Sequence, residues 1–308
     1  MYLYEHGLQN PHWHWEITLY LFFAGVAVGS YIFAAFGQLW GSKSDQRHSI
    51  TGYFFTMPLI ALCGILVILD FTVSDKVRAF TRVLWNPRDL AFNFKPTSMM
   101  SMGAWAISVF GIFATISFLY AVIKKYQIES RVPFSKLIVG FHEGSVKKIY
   151  LTIGILLAGY IGSYTGILLT ATQWPIWTHT SVIPLLFVIS GVSTGLAVIV
   201  LAMTRQKREA EGYIHRLEKT DTYLMVAEII VIGLFIFNLG PLAKVMITGS
   251  NGLLLFGGVL FAGLIVPLLL RYRPNLLGEK ESFILSNALI LIGGLILRYV
   301  MVVGAQNF

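Results

Sequence analysis

The sequence predicts an all-α integral membrane protein that crosses the bilayer eight times. Of its 308 residues, 56% are hydrophobic and only 12% are charged, a balance far outside that of soluble globular domains. The hydrophobic residues form eight long runs, and a run of about 18 such residues is long enough to cross the membrane as a helix. No connection between runs exceeds about 23 residues. We therefore expect residues 1–308 to form a single membrane domain.

The eight runs define the predicted spans in chain order. They cover residues 14–40, 51–74, 98–124, 148–171, 181–204, 221–240, 253–271 and 284–303. The first is too long for a signal peptide, and no small-residue cleavage site follows it, so we expect it to be retained. The second contains the lone cysteine, Cys63, the sixth contains Glu228, and the eighth contains Arg298.

The distribution of basic residues predicts the orientation. An even number of spans places both termini on one side, together with the loops at 75–97, 172–180 and 241–252. That side carries six Lys and Arg residues, whereas the other four loops carry sixteen. Because cytoplasmic loops carry the excess of Lys and Arg, we expect a multi-pass protein of the inner membrane with both termini in the periplasm or its equivalent. The net charge of +8 resides in loops that meet membrane lipids, so no nucleic-acid partner is expected.

Polar residues from several spans are predicted to lie at one depth near the periplasmic face. Arg298 is about five residues from the end of its run, or roughly 8 Å inside the boundary at about 1.5 Å per residue. The other residues at this level are Glu16, Tyr20, Asp70, Ser101, Trp105 and Tyr164, with His179 in the loop beyond.

A buried charge usually faces the helix bundle and finds a partner there. We therefore expect Arg298 to pair with Asp70 or Glu16 in a pocket that includes Tyr20 and Tyr164. Two alternatives stay open: Arg298 extends its stem to the interface, or the pair only locks helices together. Glu228, about seven residues from the cytoplasmic start of its run, is either part of a proton path or a satisfied structural acid.

The sequence offers no pattern for a bound metal. One cysteine excludes an iron–sulfur cluster or a thiolate zinc site built from this chain alone. None of the seven histidines falls in mid-membrane, where facing helices hold a b-type haem. We expect no haem, cluster or metal on this chain, so any redox chemistry depends on a partner subunit or a diffusible carrier.

Two spans resemble one another. "LFFAGVAVGSYIF" in the first span is similar to "LFVISGVSTGLAV" in the fifth, and each contains a GxxxG spacing, Gly25–Gly29 and Gly191–Gly195. Such spacings let helices approach closely in lipid. Both spans run in the same direction, so residues 14–171 and 181–303 are candidate parallel repeats.

The loop at 75–97 breaks the charge asymmetry. It carries five basic residues beside Phe80, Trp85, Phe92 and Phe94. It is a candidate docking site for a peripheral protein, with contact to lipid headgroups as the alternative.

Five segments together resemble the NrfD / polysulfide reductase membrane-subunit family. They are "HWHWEITLYLFFAGVAVGSY", "ILDFTVSDKVRAFTRVLWNP", "SMMSMGAWAISVFG", "SYTGILLTATQWPIWTHTSVIPLLFVISGVSTG" and "LIGGLILRYVMVVGAQ". The resemblance implies two four-helix bundles and a quinone, menaquinone or ubiquinone, bound near the periplasmic face. It also implies two partners, a peripheral iron–sulfur subunit with four clusters and a molybdopterin or multihaem catalytic subunit.

Some individual positions match the family's usual residue and others depart from it. Tyr164 in "SYTG" matches a tyrosine that contacts the quinone headgroup in the family. Tyr20 stands where some members have histidine, Ile17 where some have asparagine, and Met102 where tryptophan is usual. These departures leave the headgroup's hydrogen-bond partners open, and Glu16 is a candidate substitute. Arg298 would then balance Asp70 or Glu16 and tune proton exchange beside the quinone.

A secondary transporter, or an ion-translocating membrane subunit without quinone chemistry, is the competing interpretation, because buried charges and a repeat also fit a substrate path. A passive anchor that binds no quinone is the third. A transporter would place its polar groups nearer the bilayer midplane, whereas here most are predicted toward one face. The quinone-reactive subunit of an oxidoreductase complex is therefore favoured.

The topology is testable with reporter fusions. A reporter after Phe308 is expected to signal from outside the cytoplasm and one within residues 205–220 from inside it, because of the basic-residue asymmetry. A fusion within residues 125–147 serves as a second cytoplasmic reference. A cytoplasmic signal at Phe308 would reverse the depth assigned to every polar residue above.

Overall fold

The computed structural model describes residues 12–70, 76–86, 91–204 and 207–306. Its helices confirm the all-α class and the eight predicted spans. The helices long and apolar enough to cross a membrane are Trp15–Trp40, Lys43–Asp70, Met99–Tyr126, Lys147–Thr170, Ile183–Ala202, Ala210–Ile247, Gly249–Tyr272 and Glu279–Gln306.

Several spans are composite. The helices, in chain order, are α1 Trp15–Trp40, α2 Lys43–Ser49, α3 Tyr53–Asp70, α4 Lys76–Leu84, α5 Met99–Tyr126, α6 Ser135–Glu143, α7 Lys147–Thr170, α8 Pro175–Thr178, α9 Ile183–Ala202, α10 Lys207–Leu239, α11 Ala243–Ile247, α12 Gly249–Gly252, α13 Val266–Tyr272 and α14 Glu279–Val302. A π-helical turn region, Leu253–Ile265, joins α12 to α13. Short 3₁₀ turns lie at Ile50–Gly52, Gly240–Leu242, Pro274–Leu276 and Gly304–Gln306. Strands β1 (Trp85–Asn86) and β2 (Ala91–Phe92) form a small antiparallel hairpin.

Local sequence explains two of the sharpest breaks. Ser42 and Asp45 form a reciprocal capping box that starts α2 directly after α1 ends. Gly240 has a φ of +53°, a conformation that glycine adopts without a steric penalty, and Pro241 follows it. Helix α10 therefore ends there.

The span ends define two faces. We call the face that contains the ends of the described chain the terminal face; it includes Trp15, Asp70, Met99, Thr170, Ile183 and Gln306. We call the opposite face the basic face; it includes Trp40, Tyr126, Lys147, Ala202, Tyr272 and Glu279.

The two ends of the described chain are tied together at the terminal face. The Trp13 backbone N–H donates to Gln306 Oε1 over 2.8 Å, and Gln306 Nε2 donates to the Trp13 carbonyl over 2.8 Å. The Trp13 ring stacks on Trp177 with centroids 5.2 Å apart. Trp177 is fully buried and donates from Nε1 to the Met301 carbonyl over 2.7 Å. The first and last spans are therefore neighbours.

Helices α1 and α9 form the centre of the molecule. In their most apolar windows 72% and 67% of residues are buried, against 33% for the second, third, sixth and seventh spans. The two helices cross at their GxxxG segments. A Cβ on Gly191 would lie 3.0 Å from the Gly25 Cα, and one on Gly195 would lie 2.6 Å from the Gly29 Cα. The two similar sequence segments thus pack against each other backbone to backbone.

The remaining helices surround this central pair. One apolar cluster joins α1 to α3, α5, α6 and α7. A second joins the terminal-face part of α1 to α9, α10, the π-helical region and α14. The division into repeats at 14–171 and 181–303 stays a prediction.

The glycine crossing yields a stability prediction. Gly195→Ala is expected to lower the free energy of unfolding by about 1–3 kcal/mol, because the new methyl group would overlap the backbone of Gly29 and Ser30. Gly111→Ala is the matched control: no atom lies within 4 Å of a Cβ at Gly111, and removing a helical glycine adds up to about 1 kcal/mol. Thermal unfolding of both variants in detergent measures the difference. Equal stability of the two variants would contradict the close crossing.

Candidate functional site

Acidic side chains from two spans lie near one another at the terminal face. Glu16 lies in the first turn of α1, and Asp70 ends α3. Asp70 interacts electrostatically with Glu16, His14 and Lys76. Lys76 also donates from Nζ to the Leu69 carbonyl over 2.5 Å. The predicted acids are therefore brought together, and the cations beside them are His14 and Lys76.

Two tyrosines lie just inside this acidic group. Tyr20 is one helical turn deeper than Glu16 on α1 and is 4% exposed; Tyr164, on α7, is also 4% exposed. The two phenols are close enough to interact electrostatically. The Tyr164 hydroxyl donates to the Met99 carbonyl over 2.8 Å. Gly103 leaves room for the Tyr164 ring, since a Cβ there would overlap it.

Ser101 and Trp105 hold the segment that carries β1, β2 and residues 93–95 on α5; we call this segment the hairpin loop. Ser101 Oγ donates to the Asn93 carbonyl over 3.3 Å, and Trp105 Nε1 donates to the same oxygen over 3.3 Å. The Lys95 backbone N–H donates to Ser101 Oγ over 3.0 Å. These two predicted binding residues are thus engaged with the loop. His179, also predicted at the site, is exposed and caps the short helix α8.

The predicted pairing of Arg298 with Asp70 or Glu16 is wrong. Arg298 is 2% exposed, and the carboxylate with which it interacts is Glu228 on α10. Its Nη2 donates to the Phe187 carbonyl over 2.9 Å, and its guanidinium lies 4.1 Å from the centroid of the Phe187 ring. The eighth span packs against α1, α9 and the π-helical region. The Arg298 side chain therefore lies between α1 and α9, where it interacts electrostatically with Glu228 rather than with the acids at the terminal face.

Arg298 also reaches the central helix crossing. A Cβ on Gly25 would lie 3.4 Å from Arg298 Nη2. Gly25 is five residues along α1 from Tyr20, or about 7.5 Å deeper. Arg298 Nε and Nη1 and Ser190 Oγ are buried without hydrogen-bond partners. Buried polar atoms of this kind are usually satisfied by internal water.

Glu228 belongs to a series of buried polar residues that runs to the basic face. Asp221 lies two helical turns from Glu228 on the same side of α10, and the two interact. Asp221 Oδ2 accepts from Arg271 Nη2 over 2.7 Å, and Asp221 Oδ1 accepts from Ser193 Oγ over 2.5 Å. Arg271 also donates to Asn287 Oδ1 over 3.2 Å.

A cavity of about 450 Å³ reaches this ion pair from the basic face. Arg271 is one of its lining residues, beside Glu218, Lys219 and Thr222. Asp221 and Glu228 are 1% and 3% exposed. The series from the cavity through Asp221 and Glu228 to Arg298 therefore links the basic face to the helix crossing below Tyr20.

The comparisons with known proteins identify the family. The family described as "Polysulphide reductase, NrfD" matches residues 5–308. The protein belongs to the NrfD family. It is 28% identical to the C subunit of the polysulfide reductase of Wolinella succinogenes, over 96% of its own length and 95% of that relative. It is 26% identical to the NrfD homolog of Haemophilus influenzae and to NrfD of Escherichia coli, again over 96% of its own length and 95% of each relative.

Two polar clusters of this NrfD-family protein escaped the sequence analysis. Asp221 and Arg271 stand at span ends, where charges were attributed to loops. His142 was also assigned to a loop, yet it is completely buried and stacks on Tyr120 with centroids 4.1 Å apart. Burial lowers the pKa of His142 to about 3. Its Nε2 lies 3.1 Å from Ser117 Oγ, so a neutral imidazole holds α6 against α5.

Within the described ranges, no group of three or more His, Cys, Asp or Glu side chains is arranged to hold a metal ion.

The position of Arg298 yields a test by paired substitutions. Arg298→Gln is expected to lower the free energy of unfolding by about 1.5–3 kcal/mol, because it removes a charge-assisted hydrogen bond to the Phe187 carbonyl and the cation that favours the charged form of Glu228. Adding Glu228→Gln is expected to recover part of that loss. Adding Asp70→Asn instead serves as the matched control and is expected to recover none. Protein yield and thermal unfolding in detergent measure the recovery of stability in both double variants. Recovery with Asp70→Asn would indicate instead that Arg298 pairs with the acids at the terminal face.

Proposed function

We propose that this protein is the quinone-reactive membrane subunit of a periplasm-facing oxidoreductase complex. It exchanges electrons between the membrane quinone pool and a peripheral iron–sulfur subunit. The observation that carries the proposal is the pair of buried phenols, Tyr20 and Tyr164, directly beneath the carboxylates of Glu16 and Asp70 in a member of the NrfD family.

The residues at the terminal face fit a quinone headgroup. A quinone carbonyl needs a hydrogen-bond donor, and the Tyr164 hydroxyl is one. Its present acceptor, the Met99 carbonyl, also belongs to the start of α5, so a small shift of that turn would free the donor. Glu16 Oε2 is buried without a partner and can accept from a quinol hydroxyl.

A bound quinone, menaquinone or ubiquinone, supplies two-electron chemistry coupled to two protons. The protein's own residues supply donors and proton carriers. Tyr164 orients the headgroup, Tyr20 closes the deep side, and Glu16 and Asp70 hold protons within reach of the terminal face.

A second proton route is proposed from the basic face. It runs from the cavity at Arg271 through Asp221 and Glu228 to Arg298. The unpartnered atoms of Arg298 and Ser190 provide sites for bridging water along it. This series is also the observation that favours the alternative function, an ion-translocating membrane subunit without quinone chemistry.

The hairpin loop is the proposed docking surface for the iron–sulfur subunit. Phe92 and Phe94 are 72% and 53% exposed, and Arg82 and Lys95 are exposed beside them. Hydrogen bonds from Ser101 and Trp105 to Asn93 hold this aromatic surface rigidly on α5. Of the other basic residues of this loop, Arg88 lies outside the described residues.

The assembly is proposed by analogy with a relative. That relative carries the letter C among the chains of a polysulfide reductase, a name that implies other chains. We propose that the complex includes an iron–sulfur subunit with four clusters and a molybdopterin or multihaem catalytic subunit.

The quinone site is tested by Tyr164→Phe with Tyr160→Phe as its control. Both tyrosines are on α7 and their rings stack 6.2 Å apart, but Tyr160 is 38% exposed. Tyr164→Phe is expected to weaken binding of a short-tailed naphthoquinone or benzoquinone to the purified protein two- to tenfold, because a net hydrogen bond contributes about 0.5–1.5 kcal/mol. Tyr160→Phe is expected to bind as the unmodified protein does.

Titration of intrinsic fluorescence quenching measures both affinities. Equal affinities for the two variants would place the headgroup elsewhere. Absence of saturable binding by the unmodified protein would remove quinone chemistry from its function and leave ion translocation as the alternative.

A further inference from the structure

A second and larger cavity opens on the basic face of the first half of the molecule. Its volume is about 1030 Å³. It lies where α2 and α3 meet the ends of α5, α6 and α7. None of its lining residues belongs to the terminal-face site or to the series that ends at Arg298.

The cavity is strongly positive. Arg47, Lys124, Lys125 and Lys147 line it, and Glu143 is the carboxylate among the lining residues. Glu143 pairs with Lys124 over 2.8 Å. In the part of the protein that the structure describes, no carboxylate lies within salt-bridge distance of the other three cations. Three positive charges therefore face the cavity without compensation.

Two of these cations, Lys147 and Lys125, contact neutral partners. Lys147 Nζ donates to Gln46 Oε1 over 3.4 Å. Lys125 Nζ lies 4.8 Å from the centroid of the Phe54 ring. Such contacts position a cation without neutralising it, so its charge stays available to an anion.

The lining of the cavity is partly apolar. We call Ile50, Phe54 and Phe55, at the start of α3, the apolar wall. Gln38 also lines the cavity; it is 2% exposed, and its Oε1 has no hydrogen-bond partner. A buried acceptor without a partner favours a ligand that donates a hydrogen bond to it.

We propose that this cavity binds an anionic phospholipid whose headgroup carries hydroxyl groups, such as phosphatidylglycerol. Arg47, Lys125 and Lys147 surround the phosphate, a headgroup hydroxyl donates to Gln38, and the acyl chains lie along Phe54 and Phe55. A soluble phosphate would satisfy the cations but leave the apolar wall without a partner. The amphipathic lining therefore favours a lipid over a free anion.

The test uses the delipidated full-length protein in neutral detergent, titrated by native mass spectrometry. The probes are phosphatidylglycerol, phosphatidylcholine with the same acyl groups, and inorganic phosphate. Each Lys or Arg near an anionic lipid contributes about fivefold in affinity. The double variant Lys125→Gln/Lys147→Gln is thus expected to bind phosphatidylglycerol about 30-fold more weakly than the unmodified protein. Phosphatidylcholine binding is expected to be unchanged.

The matched control is Lys148→Gln/Lys280→Gln. Both lysines are exposed on the same face, outside the cavity, so this variant loses the same charge without losing a cavity residue. Gln38→Leu is expected to reduce phosphatidylglycerol binding two- to tenfold through the lost hydroxyl contact. Gel filtration verifies that each variant remains folded.

Two results would overturn the proposal. An equal loss in the control variant would assign lipid binding to the general charge of the basic face. Saturable binding of inorganic phosphate that excludes phosphatidylglycerol would assign the cavity to a soluble anion.

Discussion

The close crossing of α1 and α9 at four glycines is the constraint on which the rest of the structure depends. Lipid provides no hydrophobic drive for helices to associate, so packing must come from surfaces that fit closely. At Gly25 and Gly191 the backbones meet with no side chain between them. This contact brings the Phe187 carbonyl of α9 and the surface of α1 within reach of one long side chain from α14. Arg298 fills that space, and its guanidinium donates to a carbonyl, lies over an aromatic ring and interacts electrostatically with Glu228.

The crossing also separates two polar systems. Glu16, Asp70, Tyr20 and Tyr164 lie on the terminal-face side of it, on α1, α3 and α7. A second system begins at the level of the crossing, where Glu228 is near Arg298 and Asp221 accepts from Ser193, and continues to Arg271 at the basic face. Arg298 stands between them, about one and a half turns below Tyr20. In the proposed function, this residue is the point at which chemistry at the terminal face would influence proton movement from the basic face. A buried cation with two unpartnered nitrogens responds strongly to the protonation of its neighbours, because little water screens it.

The fully buried polar clusters beneath the basic face differ in chemistry between the two halves. The first half has a neutral cluster of hydroxyls and an imidazole: Ser117 bridges His142 and Tyr150 at 3.1 Å each. The second half has the Arg271–Asp221 ion pair. Neutral groups bury at a smaller desolvation cost than ions, which need both a partner and hydrogen bonds. The second half supplies these through Ser193 and Asn287. It is accordingly the half in which charged residues continue toward the membrane centre.

The sequence alone determined the class of protein, the number and order of the spans and the family, because span length and hydrophobicity are local properties that a bilayer imposes on any polypeptide. It also located Glu16, Asp70, Tyr20 and Tyr164 at a common depth, since depth follows from counting residues along a helix. Rotation and neighbours do not follow from counting. Depth alone allowed Arg298 to pair with Asp70 or Glu16, and only the packing of α14 against α1 and α9 placed its guanidinium at the Phe187 carbonyl, near Glu228. The same limit explains His142, Asp221 and Arg271: each stands near a span end in sequence, and only the tertiary structure decides whether such a residue meets water or is enclosed by its neighbours.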